Sequence, residues 1–274
     1  MEGARALVTG ASSGIGAATA VALAEHGATV GLVGRRRDKL EDVLAQCRVH
    51  TPDSHAWVAD LGDLSRAETL IHDAWAEFGA LDLLVNNAAV PKRRHVSDLT
   101  PAEIEDVMRV NFLSPVRMSL AVLPRFLERG SGMIVNVSST GGRLGILHEA
   151  AYCASKFALC GWSESMALDL WGTGVEIRLV IPGAFATDIW NRPDNEPSPY
   201  DGPLEDPVVA AAAILGAIEG TAFETYVPAE MKSVAEFKTA AIDAFLAGTI
   251  AAMGGSPPTE NVHPGGVEPD ATPA

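Results

Sequence analysis

Basic side chains are scarce in this sequence. Its 274 residues carry 20 lysines and arginines against 35 aspartates and glutamates, a formal net charge of −15. A nucleic-acid ligand demands a basic face that neutralises phosphates, and an anionic membrane surface demands the same. Neither partner is expected. Cysteines are few: Cys47, Cys153 and Cys160 are an odd set without ligand-like spacing, which argues against a disulfide framework and a zinc site. The seven histidines are scattered with no ligand-like pair, so no metal is expected. No apolar run reaches the ~20 residues of a membrane span; the longest, residues 208–218, is short and alanine-rich. The opening segment MEGARALVTG has no basic stretch followed by an apolar one, as a secretory signal would. Internal repeats are absent, and a cytoplasmic location is the expectation.

What is present is ample material for a core: 47% hydrophobic and 20% charged residues, close to the globular average. Strand-like runs at residues 6–8, 29–33, 56–58, 83–85, 133–137, 175–181 and 225–227 alternate with amphipathic stretches of helical length. That alternation predicts crossover units on a parallel sheet covered on both faces, an α/β, doubly wound domain of about seven strands. Thr100-Pro101-Ala102-Glu103 carries a capping box with proline at the first helical position, and a long helix is expected over residues 101–129. One domain is expected over residues 1–253, with one helix over 231–253. Its long proline-rich segment, about residues 186–207, reads as a substrate loop, and 254–274 as a disordered tail. Residues 208–218 are apolar nearly all round, which points to burial against a second copy of the chain.

Three motifs carry chemistry. Thr9-Gly10-Ala11-Ser12-Ser13-Gly14-Ile15-Gly16 follows the first strand-like run and opens a helix. Such a turn lets phosphate oxygens approach backbone N–H groups at a helix N-terminus, although a tight connection without a ligand is the alternative. Gly34 stands where an acid would hold a ribose 2′-hydroxyl, and Arg35-Arg36-Arg37 follow. An arginine fork there suits a 2′-phosphate, with Ser12 or Ser13 assisting; an exposed helix start is the alternative. Tyr152 and Lys156 lie four apart, on one face of a helix expected over residues 150–171. A phenol titrates at ~10 when free, and a neighbouring ammonium favours its ionised form. It could then exchange a proton with a carbonyl or alcohol oxygen. Ser139, at the end of a predicted strand, could hydrogen-bond the same oxygen.

These motifs, in this order, resemble those of the short-chain dehydrogenases/reductases. TGASSGIG is joined by Asp60-Leu61, Asn86-Asn87-Ala88-Ala89, Asn111, Val137-Ser138-Ser139, Tyr152-Cys153-Ala154-Ser155-Lys156, and Pro182-Gly183 with Thr187. The resemblance spans roughly residues 4–227 and departs at Ala89, where the family usually has glycine. It implies a Rossmann-type domain and catalytic roles for Asn111, Ser139, Tyr152 and Lys156, with Asn111 at a helix distortion that holds a water. It also implies cofactor contacts from Gly10, Ser12, Ser13, Gly14, Ile15, Gly16, Arg35 and Arg36. Further contacts follow from Asp60 and Leu61 at the adenine, Asn87 and Ala88 at the ribose, and Tyr152 and Lys156. Pro182, Gly183, Phe185 and Thr187 complete the set toward the nicotinamide. An arginine past the second strand goes with NADP(H) in that family, which is commonly dimeric or tetrameric.

The expected activity is NADP(H)-dependent interconversion of a small-molecule carbonyl and an alcohol on an apolar substrate. Leu144, Leu147 and Trp190 are the candidate pocket residues, unless they belong to the core. Lys92-Arg93-Arg94 faces either an anionic substrate or solvent. The rival reading is a catalytically silent nucleotide-binding or scaffold member of the same fold. An epimerase or dehydratase would need a longer C-terminal domain.

Overall fold

A computed structural model describes residues 1–252; the tail expected over 254–274 lies outside the described residues. Two compact units divide the chain, Met1–Lys232 and the segment from Ser233 onward. The first unit holds β1 (Arg5–Thr9), α1 (Gly14–Glu25), β2 (Thr29–Gly34), α2 (Arg37–His50), β3 (His55–Val58), α3 (Leu64–Phe78) and β4 (Leu83–Asn86). It continues with α4 (Pro101–Met108), α5 (Ser114–Arg129), β5 (Gly132–Val137), α6 (Ala150–Asp169), β6 (Val175–Pro182), α7 (Pro207–Glu219) and β7 (Glu224–Val227). All seven strands fall where the apolar runs predict them. They form one parallel sheet in the order β3-β2-β1-β4-β5-β6-β7.

The central strands are apolar on both faces because both are covered. Ala6, Val8, Val30, Leu32, Val135 and Val180 pack with Ala20, Leu23, Val43 and Ile214 on one side. Leu7, Val33, Leu84, Ile134 and Ile177 pack with Leu70, Ile71, Met118, Phe126 and Met166 on the other. Strand order reverses between β1 and β4, so the loops leaving their carboxyl ends part there and open a crevice. The TGASSGIG turn and the Asn86–Ala89 segment flank that point.

Two expectations need correction. The helix expected over 101–129 is interrupted by a π-helical turn, Arg109–Leu113, that separates α4 from α5. Among the described residues beyond β7 there are two helices, α8 (Met231–Ala240) and α9 (Ile242–Ala252), not one. One face of α7 (Ala210, Ala211, Ile214, Leu215, Ala217 and Ile218) is buried within the chain's own core, and its other face (Val208, Val209, Ala212 and Gly216) is exposed and apolar. No described helix is long and apolar enough to cross a membrane.

The loop after β6 is fastened at both ends. A bridge pairs Phe185 with Glu205, with Ala186 N donating to Glu205 O at 2.8 Å. Trp190 donates its indole N–H to Phe185 O at 2.6 Å and stacks on Tyr200. The basic run that the sequence left between anion binding and solvent is spent on this loop. Arg93 is 2% exposed. It donates to Trp190 O at 2.6 Å and Glu196 O at 3.1 Å, and pairs with Glu149 at 3.5 Å. Lys92 and Arg94 pair with Glu103 and Asp194. Carbonyls of an irregular segment need donors when water is excluded, and a planar guanidinium with five N–H groups supplies several at once.

Burial dominates at Glu149, which pushes its carboxyl up to about 7 despite Arg93 and His148 nearby. A folded-state value above that of an unfolded chain (~4.3) means stability present below ~4.3 is lost as pH rises through about 7. Relative to Glu149→Gln, the native protein should therefore lose on the order of 2 kcal/mol between pH 5 and pH 8 in urea unfolding. Parallel stability curves for the two proteins would contradict this.

Candidate active site

Glycine makes the turn after β1 possible. Gly14 has φ +56°, and a β-carbon on it would lie 2.7 Å from the Thr187 methyl; Thr187 therefore closes over the turn. A β-carbon on Gly16 would lie 2.4 Å from both Asn87 Nδ2 and Gly10 O. The close approach is used: Thr9 Oγ1 accepts from Asn87 N at 2.9 Å and Ala88 N at 3.0 Å, and Asn87 Nδ2 donates to Thr9 O at 2.9 Å. Asn87 thus braces the turn, a role that its expected place near a ribose did not include. Ile15 packs against the core.

At the end of β2, a side chain on residue 34 would meet Ser12 at 3.2 Å. Arg36, not the exposed Arg35, reaches the two serines, donating to Ser13 Oγ at 2.6 Å and Ser12 Oγ at 3.1 Å. It also pairs with Asp188 at 2.5 Å. Asp60 is exposed and accepts from Gly62 N at 2.9 Å, while Leu61 is buried in the core. Pro182 ends β6, and Gly183 N donates to Val227 O at 2.8 Å. Phe185 is a core residue at 3% exposure, so its ring is not available as an open nicotinamide or substrate contact. Leu144 is buried too, whereas Leu147 and Trp190 remain partly exposed.

Ser139 follows β5, and its Oγ accepts from Gly141 N at 3.1 Å. The Gly141 backbone runs so close beneath Tyr152 that a β-carbon there would lie 3.2 Å from the ring. The serine, the tyrosine and Lys156 thereby share one site. Lys156 is 1% exposed, and its ammonium donates to Val137 O at 2.9 Å, 5.9 Å from the Tyr152 ring centre. Burial lowers the Lys156 ammonium to about 8. Burial also raises the Tyr152 phenol well above its ordinary value, opposed by the Ser139 hydroxyl and reinforced by Glu149. In the protein without cofactor, burial therefore favours the protonated phenol and outweighs the nearby ammonium on which the spacing argument rests.

Asn111 lies in the π-helical turn, fully buried. Its amide accepts from Val90 N at 2.8 Å and donates to Val90 O at 2.9 Å and Ser155 Oγ at 3.0 Å. It ties the segment after β4 to the helix that carries Tyr152. Sequence reasoning missed Glu149, Asp188 and Arg192, which nothing in their spacing marks; it named Thr9 in the turn motif and Arg93 in the basic run without foreseeing what either would bind. No group of metal ligands occurs among the described residues. The glycine turn under Thr187, the two serines and the Arg36 fork fit a dinucleotide whose phosphates lie across the turn.

Comparison with known proteins agrees with this geometry. The family model for short chain dehydrogenase matches residues 4–197. The ketoacyl reductase HetN of Nostoc is 31% identical, covering 83% of this chain and 79% of that protein. A metagenomic short-chain oxidoreductase solved with NADP is 29% identical, with a TM-score of 0.71, covering 82% of this chain and 97% of that one. A structure from Burkholderia phymatum in complex with NAD shares the fold, with a TM-score of 0.80 at 24% identity over 89% of this chain and 95% of that one. With the reversed sheet, the glycine turn and the serine, tyrosine and lysine in one site, the chain belongs to the short-chain dehydrogenase/reductase family of oxidoreductases.

Proposed function

We propose that this chain is an NADP(H)-dependent oxidoreductase that interconverts a carbonyl and an alcohol on an apolar small molecule. The observation that supports it most is the meeting of Ser139, Tyr152 and Lys156 at the carboxyl edge of β5. When bound, a dihydronicotinamide supplies the hydride. Ser139 Oγ donates a hydrogen bond to the substrate oxygen and holds it beside Tyr152. The neutral phenol of Tyr152 then gives its proton to that oxygen as negative charge develops there. Lys156 stands below as a fixed cation that steadies the phenolate left behind. Asn111 keeps the segment after β4 and the Tyr152 helix in register from within a π-helical turn, a feature frequent at functional sites. Leu147 and Trp190 line the substrate side. The NADP(H) preference rests on Gly34, where an acid is missing, and on Arg36 with Ser12 and Ser13. That relatives of similar fold were solved with either nicotinamide cofactor makes these residues the deciding feature.

Tyr152→Phe should lower NADPH oxidation with a reducible ketone by about 10²–10⁴-fold. The variant should still bind NADPH in a fluorescence titration. Native protein that binds NADPH but oxidises none across a broad carbonyl panel would instead favour the catalytically silent reading.

The same reading includes self-association. Besides the open face of α7, Leu120 and Leu127, seven apart on α5, are exposed, as are Leu168 on α6 and Trp171 just beyond it. Exposed apolar groups of this size are candidates for a contact surface. Native protein should run as a dimer or larger in size-exclusion chromatography with light scattering, and Leu120→Arg should lower the mass toward one chain. A monomeric native protein would refute the assignment.

A further inference from the structure

Arg36 does more than point toward a cofactor. Its guanidinium lies across the glycine-rich turn, with Ser12 and Ser13 on one side and Asp188 of the loop after β6 on the other. Two residues past Trp190, Arg192 joins the same neighbourhood. Its Nε is buried and has no hydrogen-bond partner. Burial and the charges of Arg35 and Arg36 all disfavour its charged form, and Asp188 favours it. Asp188 in turn feels Arg36 and Lys39, which hold its carboxyl below the usual range. Arg36 and Lys39 thus act on Asp188, and Arg35, Arg36 and Asp188 act on Arg192, so cations outnumber the one carboxylate among these groups. Such an arrangement is short of negative charge, and the shortfall lies where β2 ends.

We propose that Asp188 is a resident stand-in for the 2′-phosphate of NADP, and that Arg192 is a further determinant of cofactor choice. In the free protein Asp188 occupies the Arg36 fork. An incoming phosphate takes its place and is held between Arg36, beyond β2, and Arg192, on the substrate loop. The exchange is feasible because the Arg36–Asp188 pair is open to water, with side-chain exposures of 33% and 44%. Solvated pairs are weak, whereas a phosphate offers more charge and three acceptor oxygens to two planar forks. The buried Nε of Arg192 then gains the partner it lacks. Since Asp188 and Arg192 bracket Trp190, filling the phosphate site also settles the loop that faces the substrate. This proposal rests on the NADP(H) reading above.

Isothermal titration with 2′,5′-ADP, 5′-ADP and 5′-AMP tests it, because these ligands separate a 2′-phosphate from a second 5′-phosphate. Native protein should prefer 2′,5′-ADP to 5′-AMP. Arg192→Gln should weaken 2′,5′-ADP by about tenfold, the loss of one charge-assisted contact, and leave 5′-AMP unchanged. Asp188→Asn should tighten 2′,5′-ADP alone. If native protein prefers 2′,5′-ADP but neither variant alters that preference, the proposal fails while the NADP(H) reading stands. If the variants shift 5′-ADP in place of 2′,5′-ADP, the site serves a pyrophosphate and the proposal is equally overturned. Native protein with no preference for 2′,5′-ADP would remove both readings.

Discussion

The carboxyl ends of β1 and β4 are neighbours in the sheet, yet their loops must leave in opposite directions. What holds them together at the parting is Thr9. Its hydroxyl donates to Val85 O at 3.2 Å while accepting from Asn87 N and Ala88 N, and its carbonyl accepts from Asn87 Nδ2. A buried hydroxyl with all its capacity used is costly to disturb. Because of this clamp, residues 10 and 16 have no room for a side chain, and the first helix begins with its N–H groups facing the crevice. The nucleotide end of the site follows from that one contact set. The catalytic end is linked to it through Val90, which Asn111 grips by both backbone groups while also bonding Ser155.

Charge is distributed unevenly over this acidic chain, and the unevenness organises the loop over the site. Arg93 is buried among carbonyls of the loop after β6, Arg36 bridges that loop to the glycine turn, and Lys92 and Arg94 join its Asp194 to Glu103 of α4. An irregular loop cannot satisfy its own backbone as a helix does. Here arginines supplied by other loops do so. The position of Trp190 thus depends on residues almost a hundred positions upstream.

Much of this was legible in the sequence, for identifiable reasons. Parallel strands buried on both faces are continuous β-branched runs, so all seven could be read directly. The capping box at Thr100 formed as written, with Glu103 returning its carboxylate to the Thr100 N–H. The motifs located the turn, the serine, the tyrosine and the lysine because their chemistry depends on residue type at short spacing. What could not be read depends on distant partners. Arg93 looks like any member of a charge run until the loop 100 residues later is seen to cover it. Residues 208–218 are apolar nearly all round, and periodicity alone does not divide that surface between the chain's own core and the face left open. Arg35 and Arg36 are adjacent and chemically identical, and only the direction of the chain leaving β2 decides which reaches Ser12 and Ser13. Phe185 has a similar lesson: its backbone belongs to the loop, but its ring belongs to the core.

The balance of burial and charge at Tyr152 connects these observations to chemistry. A lysine four residues on favours an ionised phenol, but burial outweighs it here: Lys156 is itself so enclosed that its ammonium is held to about 8, and one of its three donors goes to Val137 O. Glu149, one turn before Tyr152, adds a further bias against a second negative charge. The protein alone therefore stores the proton on the tyrosine. On the proposed mechanism that is the protonation state from which reduction starts, with the phenol donating to a developing alkoxide. The oxidative direction needs the opposite state and requires an additional positive charge beside the ring, which these side chains do not provide by themselves. Glu149 also touches Arg93, the residue that fixes the loop carrying Trp190. The group that biases the tyrosine and the group that shapes the substrate side are consequently in direct contact, so the two properties are coupled through a single buried pair.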